Sequence, residues 1–260
     1  MDLKNSTILI TGGSSGIGLE FAKQLSETGA TVIVTGRNLE GLKETKKQFP
    51  NVHIFQSDVS NPKAIEQLYK DVTSQFPNLN ILINNAGLMR LIDLQDQSLN
   101  LENINQEIVT NLSGTIQMVH QFLPHLIKQK SAGIVNVSSG IALMSYSSAP
   151  IYSATKAGVR AYTQALRLQL ENTNVKIFEM IPPGVKTNLQ NDWVKQPNQA
   201  MMMNADKMIK VAIDGLLKDK KELKPFLIRV MKLASRIAPN LLMKLSHNEF
   251  KEIKKLQNHK

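Results

Sequence analysis

The stretch "STILITGGSSGIGLEFAKQLSETG", residues 6–29, holds a strand-like run, a glycine-rich turn and a helix-like run in immediate succession. "STILIT" (6–11) is short, apolar and β-branched, and "GIGLEFAKQLSETG" (16–29) is amphipathic. Between them stand Gly12, Gly16 and Gly18, spaced G-x-x-x-G-x-G rather than G-x-G-x-x-G. Small residues at such a junction let the backbone approach a pyrophosphate, whose charge is met by N–H groups at the helix N-terminus. The candidate cradle is Gly12, Ser14, Ser15, Gly16, Ile17 and Gly18. The same glycines would serve a plain strand-to-helix turn, but the strand–glycine–helix context is the one a dinucleotide site requires.

The alternation continues beyond this unit. "TVIVTG" (31–36) precedes the helical "LEGLKETKKQF" (39–49), and "VHIF" (52–55) precedes a helical stretch from Pro62 to Phe76. "ILIN" (81–84), "GIVNVS" (133–138) and "VKIFEMI" (175–181) bring the short apolar runs to six. Such runs, separated by helices, read as strands buried on both faces of a parallel sheet. The predicted fold is a Rossmann-like, doubly wound α/β sheet with helices on both faces. Residues 1–190 would form the dinucleotide-binding core with the catalytic site. Residues 191–260 would add a substrate lid and a basic, helical C-terminal extension of the same domain.

The 260 residues are 42% apolar and 20% charged, which suits one domain with a full-sized core. There is no cysteine, so disulfides and thiol chemistry are excluded. With no signal-like or membrane-spanning run, a cytoplasmic protein is expected. His120 and His125 are five apart with Pro124 between them, and His53, His247 and His259 are isolated, so no metal site is expected. The net charge of +10 is uneven: residues 204–260 carry 14 Lys and Arg against 6 Asp and Glu. The body is nearly neutral and the tail lacks a nucleic-acid-binding motif, so no nucleic-acid partner is expected.

The second strand-like run ends in "VTGRN", with Gly36 and Arg37, and no carboxylate follows until Glu40. An acidic residue here suits the ribose 2′-hydroxyl of NAD, whereas arginine suits the 2′-phosphate of NADP. Arg37 therefore points to NADP(H), with NAD(H) left open. Further along, "IYSATKAGVR" (151–160) sets Tyr152 and Lys156 four residues apart, on one face of a helix expected over 151–171. A phenol titrating near ~10 is a weak acid–base catalyst at neutral pH. An ammonium about 4–5 Å away contributes roughly 4 kcal/mol at an effective dielectric near 20, enough to bring the phenol down to about 7. The other tyrosines, Tyr69, Tyr146 and Tyr162, have no lysine four residues on.

Taken with "SDV" at Asp58, "NNAG" (84–87), Asn111 in "TNLSG", Ser139 in "NVSSG", "YSATK" and "PPGVKT" around Gly184, the chain resembles the short-chain dehydrogenase/reductase family over roughly residues 6–190. That resemblance implies that Tyr152 exchanges a proton with a carbonyl or alcohol oxygen. It implies that Lys156 lowers the tyrosine pKa and holds the nicotinamide ribose, and that Ser139 hydrogen-bonds the substrate oxygen. Asn111 would hold a water that relays protons from Lys156. Asp58 and Val59 would meet the adenine, and Asn85, Ala86 and Gly87 would line the cleft. Pro183, Gly184, Val185 and Thr187 would clasp the nicotinamide. Ser138, one residue off the family spacing, would serve local structure. A homodimer or homotetramer acting on a small carbonyl or alcohol substrate is implied. The rival is a dinucleotide sensor or scaffold without turnover, against which the intact Ser139, Tyr152 and Lys156 argue.

Two segments lie outside that pattern. "NDWVKQPNQAMMMNADK" holds Trp193 and Met201 to Met203, which read equally as a flexible lid over a lipophilic substrate or as a helix start packed on the core. "FLIRVMKLASRIA" (226–238) sets Phe226, Leu227, Val230, Met231, Ala234, Ile237 and Ala238 on one stripe, with Arg229, Lys232 and Arg236 off it. Packing on its own domain or on a neighbouring subunit is the expected use of this stripe; weak contact with an anionic membrane surface is the alternative. A basic tail after such a body is similar in arrangement to a bacterial subgroup labelled DltE-like oxidoreductases.

Overall fold

The computed structural model describes residues 1–190, 193 and 198–258. Seven strands, β1 (Thr7–Thr11), β2 (Thr31–Gly36), β3 (His53–Gln56), β4 (Leu79–Asn84), β5 (Ala132–Val137), β6 (Val175–Met180) and β7 (Glu222–Leu223), form one sheet. Their order is β3-β2-β1-β4-β5-β6-β7, and every pair is parallel. The helices are α1 (Gly16–Glu27), α2 (Leu39–Gln48), α3 (Pro62–Gln75), α4 (Leu101–Glu107), α5 (Gly114–Ile127), α6 (Pro150–Gln169), α7 (Ala205–Leu217), α8 (Phe226–Ile237) and α9 (Pro239–Asn258).

Strand periodicity divides the core into two layers, because successive side chains point to opposite faces. Ile8 and Ile10 of β1, Val32 and Val34 of β2, and Ile81 and Ile83 of β4 pack with Phe21, Leu25, Leu42, Met208 and Leu216. The residues between them, Leu9, Ile33 and Leu82, pack on the other face with Ile65, Leu68, Val72, Met118, Phe122 and Leu126. Each such large side chain removed from water contributes about 1.5–3 kcal/mol against chain entropy. β1 lies between β2 and β4, so the chain reverses its direction of winding there, and a crevice opens at the strands' carboxyl ends.

The six strands read from the sequence are present, and a seventh, β7, lies within the stretch assigned to lid and tail. Met208, Ile209, Ala212 and Leu216 of α7 and Leu223 of β7 belong to the core. The core fold thus runs through Leu223, past the boundary expected at residue 190. β7 is only two residues long and carries almost no periodic signal. It is held by Glu179 N donating to Lys221 O at 3.0 Å and Ile181 N to Leu223 O at 3.0 Å.

A chain of charges ties this edge together. Arg160 of α6 donates to both carboxylate oxygens of the fully buried Glu179 at 2.8 Å and reaches Glu222 at 3.3 Å. Lys224 and Lys232 also pair with Glu222. Burial pushes the Glu222 carboxyl up, but hydrogen bonds from the two lysines outweigh it and hold it at about 2. A charge this enclosed is tolerated only because its partners are in place.

Candidate active site

A cleft of about 540 Å³ opens at the carboxyl ends of the strands. At its β1 end, Gly16 adopts φ +52, a conformation costly for a residue with a side chain. A Cβ on Gly18 would lie 2.1 Å from Gly12 O, so α1 can start this close to β1 only with glycine there. Gly12, Ser14, Ser15, Gly16 and Ile17 line the cleft, whereas Gly18 is buried behind them. Ser15 begins α1 without capping it through its side chain. The cradle's shape and its helix N-terminus fit a dinucleotide pyrophosphate.

The next loop is clamped to this cradle. The Thr11 hydroxyl accepts from Asn85 N at 3.0 Å and Ala86 N at 2.9 Å, and Asn85 Nδ2 donates to Thr11 O at 2.9 Å and Gly12 O at 3.1 Å. Asn84 is buried and donates to Asn136 at 2.9 Å, which bonds Thr163 of α6 at 3.0 Å. Asn85, Ala86 and Gly87 line the cleft, as do Arg37, Asp58 and Val59. Asp58 accepts from Ser60 N at 2.8 Å and Ser60 Oγ at 2.7 Å, so it also shapes its own turn. Glu40, the first carboxylate after β2, pairs with Lys43 at 2.8 Å.

At the other end of the cleft Tyr152 and Lys156 stand on α6, which starts with Pro150 in its first turn. Both are buried. Lys156 Nζ lies 5.6 Å from the Tyr152 ring centre and donates to Val137 O at 2.9 Å. Ser139 is buried beside them, and its Oγ accepts from Ile141 N at 3.3 Å. Ser138 lines the cleft, which Ser139 does not, but its hydroxyl is engaged, donating to Glu179 at 2.6 Å and Met180 O at 3.2 Å. Burial pushes the Tyr152 phenol up to about 12; the hydrogen bond with Ser139 works against this and the Glu107 carboxylate adds to it. Burial also pulls Lys156 down to about 8. The sequence-based expectation of a tyrosine near 7 differs from this: loss of water drives the phenol up and the ammonium down.

Asn111 lies in a π-helical turn, Ile108–Ser113, between α4 and α5. The wider turn is a frequent companion of functional sites. Its Oδ1 accepts from Leu88 N at 2.9 Å, and its Nδ2 donates to Leu88 O at 2.9 Å and Thr155 at 3.2 Å. Asn111 is thus fully buried, fastening the 88 segment to α6, with Gly87 between it and Lys156. Glu107, also buried, accepts from Arg90 N at 3.0 Å, lies 3.6 Å from the Arg90 guanidinium and titrates above its usual range because of burial.

The segment around Gly184 departs from expectation. Pro182 and Thr187 line the cleft, but Pro183, Gly184 and Val185 do not. Val185 is buried in the core, and Gly184 O accepts from Met203 N at 2.8 Å. Met203 is thereby fixed as a short bridge to Val185, while Met201 is 81% exposed. Trp193 packs with Met89, Ala149, Tyr152, Ile141 and Tyr146 around the phenol. The remainder of the expected lid, residues 191–192 and 194–197, lies outside the described residues. Met89, Arg90, Thr110, Asn38 and Leu189 line the cleft without having been singled out in the sequence. Asn38 and Thr110 stand inside the quoted "VTGRN" and "TNLSG", and Met89 and Arg90 follow shortly after "NNAG"; Leu189 had no positional signal.

Comparison with known proteins agrees with this geometry. The family model described as short chain dehydrogenase matches residues 6–198. An uncharacterized oxidoreductase DltE of Bacillus subtilis (strain 168) is 39% identical over 224 residues, 86% of this chain and 89% of that protein. A fatty acyl-CoA reductase of Acinetobacter baylyi is 28% identical over 256 residues, 96% of this chain and 86% of its own. Among solved structures, a short-chain dehydrogenase/reductase of Burkholderia phymatum in complex with NAD superposes with TM-score 0.81 at 21% identity, covering 91% of this chain and 95% of that one. A short-chain dehydrogenase of Burkholderia cenocepacia J2315 in complex with NADP gives 0.80 at 22% identity, covering 93% and 97%. At those identities the two structures share the fold.

Proposed function

The chain belongs to the short-chain dehydrogenase family as an NAD(P)-dependent oxidoreductase, and on that premise we propose that it is an NADP(H)-preferring reductase of lipophilic carbonyl compounds. The observation that carries the reading is one continuous cleft, with the glycine cradle and Arg37 at one end and Tyr152 and Lys156 at the other. The nicotinamide, when bound, supplies the hydride or accepts it in the reverse direction. Tyr152 gives its proton to the carbonyl oxygen, and Ser139 hydrogen-bonds the same oxygen and steadies the charge that develops there.

Lys156 holds the nicotinamide ribose and keeps a positive charge near the phenol. Asn111, across Gly87 from Lys156, provides the route by which a water returns the proton. Its amide is committed to Leu88, so that water would use the remaining lone pair of its carbonyl oxygen. Arg37 takes the 2′-phosphate, and the pairing of Glu40 with Lys43 supports this by leaving no free carboxylate from the start of α2 to compete. Support for a lipophilic substrate comes from Met89, Ala149, Ile141, Tyr146 and Trp193 around the phenol, and from the likeness to a fatty acyl-CoA reductase. A homo-oligomer and a cytoplasmic location remain part of the proposal.

Fluorescence titration with NADPH and NADH, followed by turnover of medium- and long-chain aldehydes and ketones, tests this reading. Tight NADPH binding with weak NADH binding, and activity that rises with chain length, is the expected result. Binding of neither nucleotide would return the chain to the scaffold reading.

A further inference from the structure

The helix α8 is turned inside out for a surface helix. It touches its domain through the buried Ile228 and through Met231, which both pack against Gly140, one residue after Ser139. Phe226, Val230, Leu233 and Ile237 recur at i, i+4, i+7 and i+11, on the face opposite Ile228. They are 75%, 48%, 60% and 74% exposed. Leu227 beside them and Leu241 and Met243 at the start of α9 are exposed as well. Of the stripe expected to pack on its own domain or a neighbouring subunit, Phe226, Leu227, Val230 and Ile237 face outward, joined by Leu233, while Met231 packs inward; a contiguous apolar surface of this kind marks an interaction site.

Charge selects the occupant. α8 carries Arg229, Lys232 and Arg236 and no acidic residue. Lys232 is engaged inward by Glu222, whereas Arg229 and Arg236 are exposed on one flank of the apolar stripe. Lys244 and Lys251 are exposed on α9. A second copy applied through this face would bring together two tails each of net charge +8, from 14 basic and 6 acidic residues. An anionic lipid surface satisfies both features, with apolar side chains entering the headgroup boundary and arginines meeting phosphates.

We propose that the outward face of α8, continued by Leu241 and Met243 of α9, docks the protein on the surface of an anionic lipid bilayer. Docked in this way, the bilayer stands one helix diameter, about 10 Å, from the turn that carries Ser139. The adjoining α9 holds the segment before Tyr152, with Ser246 Oγ donating to Ser145 O at 3.2 Å. The contact is peripheral: among the described residues no helix is long and apolar enough to cross a membrane.

Co-sedimentation of the full chain with phosphatidylglycerol/phosphatidylcholine vesicles, against phosphatidylcholine alone, tests the proposal. Binding to the anionic vesicles is expected, with a fall of roughly tenfold or more in Phe226→Ser/Ile237→Ser and in Arg229→Gln/Arg236→Gln. Leu168→Ser, which removes an exposed leucine on α6, is expected to bind like the parent chain. Far-UV circular dichroism and NADPH titration show that each variant is folded. No preference for anionic vesicles, or undiminished binding by the Phe226/Ile237 variant, overturns the proposal. So does a dimer on size exclusion that the same variant dissolves while vesicles bind neither protein, since the face would then belong to a second copy. The assay reads lipid binding and not turnover, so its failure leaves the reductase reading standing.

Discussion

Lys156 Nζ lies 5.6 Å from the centre of the Tyr152 ring and spends a hydrogen bond on Val137 O at 2.9 Å. The lysine is tethered to the end of β5 as well as facing the phenol. Burial acts on both partners, raising the tyrosine to about 12 and lowering the lysine to about 8. At neutral pH the site therefore holds a neutral phenol beside a lysine that is still mostly charged and that burial makes costly to keep so.

Tyr152→Phe is expected to lower turnover by about 10²–10⁴-fold, the usual worth of a general acid, while leaving the NADPH dissociation constant within roughly twofold. Steady-state kinetics beside a fluorescence titration separates the two effects. Turnover comparable to the parent would remove the phenol from the chemistry.

Lys156→Met is expected to stabilise the protein at neutral pH while abolishing turnover. The folded-state pKa of Lys156 lies below its ordinary value of 10.5, at about 8. Between these values the unfolded chain binds more protons, so this group's cost to stability is full below pH ~8 and fades as pH rises toward ~10.5. The gain in Tm, roughly 2–4 °C for each kcal/mol relieved, should shrink over that same interval. The lost bond to Val137 O offsets part of it. A variant less stable than the parent at pH 7 would show that this hydrogen bond outweighs desolvation.

Arg37→Ala is expected to weaken NADPH about tenfold or more and NADH little, because a charge-assisted bond to the 2′-phosphate exists for only one of them. Isothermal titration with both nucleotides reads the difference. Equal losses would make Arg37 a bystander on the rim of the cleft.

Glu107→Gln is expected to shift the basic limb of the kcat/KM profile to lower pH. The Glu107 carboxylate raises the tyrosine pKa through space, and glutamine keeps the acceptor for Arg90 N while removing the charge. A limb that stays in place would mean that the carboxyl is already protonated, consistent with its own upward shift from burial.

The chemistry of the site was legible in the sequence because it is local. The order strand–glycine–helix, the i, i+4 spacing of Tyr152 and Lys156, and the arginine after β2 depend on neighbours a few residues away. The six strands follow from short continuous apolar runs, and the two-layer core from the alternation of their side chains between faces. Tertiary structure alone decided what stands opposite each of these. It buried Val185 rather than turning it to the cleft, and it recruited Glu222–Leu223 as a seventh strand through pairing with β6. It also brought Glu107 close enough to Tyr152 to act on the phenol, and turned Phe226, Val230, Leu233 and Ile237 of α8 outward while Met231 packs inward. A period reports that a helix has an apolar face; only the packing of distant segments determines whether protein covers it. The same holds for the tyrosine, whose pKa reflects the loss of water on every side as much as the lysine one turn away.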